Sequence, residues 1–346
     1  MKKKILVIGT GGTIASTQSE SGLVPGLTAD DLMTHVPDAK ELADIDAIQV
    51  CNLDSTDVTP KDWMLFASTI EENYHAYDGF VLCHGTDTLA YTAAALSYLI
   101  QNSRKPIVIT GSQKPIDAED TDARRNLRDS ILYACDQNSH LVSIVFDGKV
   151  IAGTRAKKEK SKSFDAFSSI NFPYLALIRD GRVIRYIYEN KEDLADPTFA
   201  HKVSSKVFAL KLAPGFNKSL LPVLFEQYDC IIIESFGLGG IPSYLMEEFK
   251  AQMDSHNTLI IVSTQVANEG SDMSIYQVGL DAKSSFNLLE TYDMTMESAY
   301  AKACWLLGLL DSNKKDPGTL GLGPESIAFA KKEFYRSINH DLLEFA

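Results

Sequence analysis

The stretch VIGTGGTIAS, residues 7–16, decides how this chain is read. An apolar run, Ile5–Ile8, ends in Gly9, Gly11 and Gly12, the pattern of a buried strand opening into a tight turn. Such a turn either cradles a phosphate with its backbone or presents the hydroxyl of Thr13. The dinucleotide fingerprint G-x-G-x-x-G places its third small residue five positions after the first, for close helix–strand packing. Counted from Gly9, that position is Ile14, which is β-branched, and no G-x-x-x-x-G-K-[ST] occurs anywhere in the chain. Both phosphate readings fail on spacing. Taken alone, Thr13 then reads as a turn or helix-capping hydroxyl.

Three further segments change its company. CHGTDTLA, residues 83–90, again follows an apolar run with a glycine turn that carries a hydroxyl and a carboxylate, and then opens into a helical pattern. NLDSTDVTP, residues 52–60, and TGSQKP, residues 110–115, follow two more apolar runs. In an open parallel sheet the carboxyl ends of neighbouring strands face one crevice, where ligands bind. Thr13, Thr86, Asp87, Asp54, Ser55 and Thr56 would converge there. A pocket rich in hydroxyls and carboxylates suits a small zwitterion: Asp87 pairs with an ammonium group, while hydroxyls and backbone N–H groups hold a carboxylate.

Composition limits the alternatives. The 346 residues suffice for two ordinary domains, and 45% hydrophobic with 23% charged residues is globular. A net charge of −13 argues against nucleic acid or an anionic membrane surface as partner. The opening MKKKILVIGTGG is too short in its apolar part for a secretory signal, and no run of about 18 apolar residues suggests a membrane span, so a cytoplasmic location is expected. The five scattered cysteines read as free thiols, and the seven histidines form no ligand spacing, so neither metal nor cofactor is expected.

Apolar runs at Ile5–Ile8, Ile48–Cys51, Phe80–His84, Ile107–Thr110 and Val142–Phe146 alternate with helical patterns at Pro60–Asn73, Leu89–Ile100 and Asp122–Cys135. This order predicts an α/β fold with a mostly parallel sheet. Polar residues 189–206 read as a linker between a larger N-terminal domain, 1–188, and a smaller α/β domain, 207–346. In the latter, strands are expected at Val207–Leu212, Cys230–Ile233 and Leu259–Val262, and helices near Ser243–Met253, Ser298–Leu310 and Pro324–Ser337.

TGGTIAS at 10–16 together with HGTDT at 84–88 resembles the bacterial-type L-asparaginases. The resemblance continues through DSTD at 54–57, TGSQKP at 110–115 and RAKKEKSKSFDAF at 155–167, and covers nearly the whole chain. The lack of a signal sequence makes it similar to the cytoplasmic type I branch. The resemblance implies hydrolysis of L-asparagine to aspartate and ammonia by a threonine nucleophile, in a two-domain α/β homodimer or homotetramer. It assigns Thr13 as nucleophile and Thr86, Asp87 and Lys158 as the second catalytic group, Lys158 standing nine residues before Phe167. It gives Asp54, Ser55 and Thr56, with Thr86 and Asp87, to the substrate's α-carboxylate and α-amino groups. A threonine hydroxyl is a poor nucleophile until a base takes its proton. A lysine is that base only when neutral, and an unperturbed lysine is charged near pH 7. The residue types allow Lys158 to abstract the proton, to relay it or to position the threonine. Without the resemblance, KKEKSK at 157–162 is an ordinary solvated basic loop.

The chain departs from the family pattern twice. The family's lid loop carries a tyrosine after the nucleophile, but STQSESGLVPGLTADD, residues 16–31, contains none and offers Leu23 instead. Tyr276, helped by Glu269, is the candidate replacement, against a plain packing role for the same tyrosine. In GLGGIP, residues 237–242, Gly240 stands where relatives carry an asparagine that reaches a neighbour's site. The Ser, Glu and Gly content of residues 17–28 fits a mobile lid with hinges at Gly22 and Gly26. Two rival functions share these motifs. One is the asparaginase-like component of the archaeal tRNA-dependent amidotransferase, which usually carries an extension ahead of its first threonine motif. The other is a non-catalytic amino acid sensor, which would lack one of the four catalytic residues.

Overall fold

The computed structural model describes residues 2–19, 22–275, 277–285, 288–312 and 324–343. They form two compact units, Met1–His201 and Lys202–Ala346. Unit 1 is built on an eight-stranded sheet. Its strands are β1 (Lys3–Gly11), β2 (Ala43–Leu53), β3 (Gly79–Cys83), β4 (Ile107–Thr110), β5 (Val142–Phe146), β6 (Lys149–Ala152), β7 (Ala176–Arg179) and β8 (Arg182–Arg185). The spatial order is β8-β7-β6-β5-β4-β3-β1-β2. β2, β1, β3, β4 and β5 run parallel, and β6, β7 and β8 extend the sheet antiparallel.

Local chemistry explains these elements. Phe80, Val81, Leu82 and Cys83 are all fully buried, as a central parallel strand covered on both faces requires. Each such large apolar side chain contributes about 1.5–3 kcal/mol on burial. Helix α1 (Pro60–Asn73) starts where the Asp62 carboxylate accepts from Thr59 N and Thr59 Oγ1, at 2.8 and 2.7 Å, with Pro60 in its first turn. Helix α2 (Leu89–Leu99) is buried on nearly every side, and its buried Ser97 returns its hydroxyl to Ala93 O at 2.8 Å. Helix α3 (Ala123–Cys135) buries Leu127, Ile131 and Ala134 in the core shared with Val81, Cys83 and Val108.

Most expected elements lie within a residue or two of their observed bounds, with two differences. β2 begins at Ala43 rather than Ile48. It is an edge strand in which Asp44 faces solvent and Asp46 meets Lys4 at 3.0 Å, so its first half is not apolar. The antiparallel extension is the second difference. Asp147-Gly148 and Asp180-Gly181, all at positive φ between 50 and 69°, close the β5–β6 and β7–β8 hairpins. Within residues 189–206, Thr198–Phe199 pairs antiparallel with Ile100–Gln101, so this polar stretch is partly tied to unit 1.

Unit 2 contains a four-stranded parallel sheet: β9 (Val207–Lys211), β10 (Cys230–Ser235), β11 (Leu259–Thr264) and β12 (Leu288–Glu290), in that order. Its core gathers Ile231, Ile233, Ile260 and Val262 with Phe225 and Phe249. Helices α4 (Ser243–Ser255), α5 (Met296–Ser312) and α6 (Pro324–Tyr335) flank it. Lys302 on α5 is fully buried and donates to Asp341 Oδ2 at 2.6 Å and to Arg336 O at 2.9 Å. The two-unit α/β architecture expected from the alternation of strands and helices is observed. Among the described residues no helix is long and apolar enough to cross a membrane.

Candidate active site

From β1 the chain passes to β2 on one side and then to β3 on the other, so the strand order reverses at β1 and β3. Ligands bind outside the carboxyl ends of strands at such a switch point. The two glycine turns meet there. Gly12 has φ 77° and ψ 179°, a conformation essentially confined to glycine. A Cβ on it would lie 2.3 Å from both Gly85 N and Gly85 Cα. The turn donates Gly12 N–H to Leu53 O at 2.9 Å, which ties it to the end of β2 as well. It runs on into one 3-10 turn, Thr13–Ala15, and not into a helix, so it offers no helix N-terminus to a pyrophosphate. Ile14 is a fully buried core residue. Glycine therefore serves close backbone approach, and Thr13, half-buried, and Thr86, buried, each follow directly on the contact.

Lys158 completes a second constellation. Its strand, Ala156–Lys158, pairs antiparallel with Phe167–Ser169, and Lys158 lies opposite Phe167. The nine-residue interval in the sequence is thus the register of a hairpin. Lys158 Nζ donates to Thr86 Oγ1 and to Asp87 Oδ1, each at 2.7 Å. The lysine is largely buried and Asp87 is open to solvent, their side chains 18% and 56% exposed. This overturns the solvated-loop alternative for Lys158, although its neighbours Glu159 and Lys160 are exposed. Ser55 is buried, its Oγ accepts from Asp87 N at 3.2 Å, and its carbonyl accepts from Thr88 Oγ1 at 2.7 Å. Asp54 and Thr56 are exposed at the same edge, where Asp54 Oδ1 accepts both Thr56 N and Thr56 Oγ1 at 2.9 Å.

The lid segment forms a short hairpin, Ser16–Ser19 with Gly22–Pro25, and Gly26 N donates to Ala15 O at 2.8 Å. Tyr276 lies outside the described residues. In unit 2, Glu269 is exposed with φ 74°, and Gly240, at φ 114°, accepts from Ser235 Oγ at 2.6 Å.

Two groups at the site escaped the sequence reading. His84 is fully buried, donates Nδ1–H to Gly85 O at 2.7 Å and accepts from Thr92 Oγ1 at Nε2 at 3.1 Å. Burial pulls its pKa down to about 4, so it is a neutral strut under the second glycine turn. The HGTDT motif displayed it, but only its contacts show what it holds. Gln113, in the loop after β4, meets Thr86, and no periodicity signals a side chain in an irregular loop. Cys83, fully buried, has its thiol pushed up to about 12 and is inert.

A hydroxyl, an amine and a carboxylate joined by hydrogen bonds are the parts of an activated nucleophile or of a proton relay. Comparison with known proteins places the chain in a family. The asparaginase N-terminal domain matches residues 4–191, and the glutaminase/asparaginase C-terminal domain matches residues 206–316. The L-asparaginase of Thermococcus kodakarensis is 35% identical over 307 residues, 88% of this chain and 93% of that protein. Its solved structure superposes with a TM-score of 0.88 at 32% identity, covering 99% of this chain and all of the other. L-asparaginase I from Vibrio cholerae superposes at 0.84 with 26% identity, over 99% of this chain and all of the other. A component of the glutamyl-tRNA(Gln) amidotransferase of Methanosphaera stadtmanae is 32% identical over 328 residues, 90% of this chain and 73% of that protein. The chain is thus a two-domain α/β hydrolase of amide bonds. It belongs to the asparaginase family.

Proposed function

We propose that the protein is an L-asparagine amidohydrolase that converts L-asparagine to L-aspartate and ammonia. The observation that carries the reading is the contact of Lys158 with both Thr86 and Asp87 beside the turn that presents Thr13. Thr13 Oγ attacks the side-chain amide carbon and its proton leaves with the amide nitrogen as ammonia, which forms an ester on Thr13. Water bound at Thr86 then attacks that ester, and one of its protons passes by way of the Lys158–Asp87 pair to the Thr13 oxygen, which restores the hydroxyl. Asp87 and the 54–56 turn, with Asp54, Ser55 and Thr56, hold the α-amino and α-carboxylate groups, and Tyr276 of a neighbouring copy, helped by Glu269, orients Thr13. Neither step as written uses a cofactor or a metal.

The same reading carries a homodimer or homotetramer in which the C-terminal unit, 207–346, serves a neighbour's site. Exposed Phe236, Val266 and Ile275 supply apolar surface for such contacts. Free thiols at all five cysteines accord with a reducing, cytoplasmic compartment. Ammonia release from L-asparagine, with L-glutamine in parallel, tests the proposal on wild type, Thr13→Ala, Thr86→Val and Lys158→Met. Each substitution should lower kcat by about 10²–10⁴-fold. A folded wild type that releases no ammonia, or a Thr13→Ala enzyme of undiminished rate, would sink the reading. The alternative, a component of a tRNA-dependent amidotransferase, draws on the identity with the Methanosphaera stadtmanae protein. It predicts glutamine as ammonia source and a second protein with tRNA that co-purifies.

A further inference from the structure

The loop between β4 and α3 reaches the site through one side chain. Gln113 Nε2 donates to the carbonyls of Lys160 and Ser163, at 3.2 and 3.1 Å. Both oxygens can only accept, so the amide nitrogen belongs on that side and Oε1 faces Thr86, whose hydroxyl donates to it at 3.3 Å. Lys158 Nζ donates to the same Thr86 oxygen at 2.7 Å and so occupies one of its lone pairs. The Thr86 hydroxyl is therefore left one direction: hydrogen toward Gln113, lone pair toward Lys158.

The backbone of Gln113 is fixed in turn. Its N–H is held by both oxygens of Asp122, at 2.9 and 3.1 Å, and Lys114 N donates to the same carboxylate at 3.2 Å. Asp122 receives Asn126 Nδ2 at 3.2 Å from the first turns of α3, and Asn126 is buried. A rigid helix thus holds one amide, which holds Thr86 on one side and the loop of the Lys158 hairpin on the other.

We infer that Gln113 is a positioning residue that sets the direction of the Thr86 hydroxyl and tethers residues 159–166, so that Lys158 stays on Thr86. The inference rests on the amidohydrolase reading of the site. Gln113→Leu keeps the bulk and removes all three polar contacts. It should lower kcat for L-asparagine about 10- to 100-fold while KM changes less than threefold, since Asp54, Ser55 and Thr56 do not touch Gln113 and stay in place. Amide hydrogen exchange at residues 159–166 should quicken while α3 stays protected. Gln113→Glu, which sets a carboxylate against the two carbonyls, should open the same loop if the leucine variant fails to fold. A kcat within twofold of wild type, a rise in KM with kcat kept, or unchanged exchange at 159–166 each overturns the inference. A wild type inactive on L-asparagine would instead overturn the functional reading, and the exchange experiment would then decide the tether by itself.

Discussion

Replacing Gly12 with alanine tests whether contact between the two glycine turns sets the distance between the threonines. The new Cβ would stand 2.3 Å from Gly85 N and Cα, where carbon contacts settle near 3.5–4.0 Å. Both partners are backbone, so the turns must part by about 1 Å, and Thr13 and Thr86 each follow directly on the residue displaced. A misplacement of about 1 Å costs on the order of 10²-fold in rate. Overpacking adds about 1–3 kcal/mol of destabilisation, and alanine in a glycine-only conformation adds a comparable amount. Gly85→Ala probes the same junction without positive-φ strain, because its Cβ would meet Ser55 Oγ at 2.6 Å and Gly12 Cα at 3.1 Å. Gly181→Ala is the control: φ is 69° but nothing lies within 4 Å of the new atom. Ammonia release and thermal unfolding, measured on all three, should show kcat falling about 100-fold in Gly12→Ala and by a similar order in Gly85→Ala. Gly181→Ala should keep its kcat. If folded Gly12→Ala turns over within threefold of wild type, the turn contact does not set the geometry of the site.

Two further outcomes follow from buried titratable groups. His84 has a pKa of about 4 when folded and about 6.5 when unfolded, so the unfolded chain binds more protons between these values. Stability from this group is complete above pH 6.5 and falls by about 3 kcal/mol as pH drops to 4. Urea unfolding of His84→Gln should lose that part of the slope, and a parallel pH dependence in both proteins would show that His84 is not buried neutral. Lys302→Met strands the buried Asp341 carboxylate and should cost about 3–5 kcal/mol, with most of it recovered in Lys302→Met/Asp341→Asn. Equal stability of wild type and the single variant would mean that water reaches the pair.

Much of the architecture could be read along the chain because its causes are local. Apolar runs as short as Phe80–Cys83, bounded by turn residues, favour buried strands, and Thr-Pro-x-Asp at 59–62 caps a helix by its own side chains. The glycine spacing excluded a dinucleotide loop, and the core position of Ile14 gives the physical reason. The Asp-Gly pairs at 147–148 and 180–181 were local signals of equal strength for the hairpins that extend the sheet. The first half of β2 was hidden because an edge strand is wetted on one face, which breaks the apolar run with Asp44 and Asp46. The sequence by itself therefore determined the elements, their order and the two threonine motifs, since capping, turn chemistry and period act within a few residues. Tertiary structure alone decided that Lys158 lies on Thr86 and Asp87, more than seventy residues away in the chain, that Gln113 holds that group from a third loop, and that His84 is neutral. Those contacts depend on which strand ends the sheet order brings together and on how deeply each group is buried, and neither quantity is carried by local spacing.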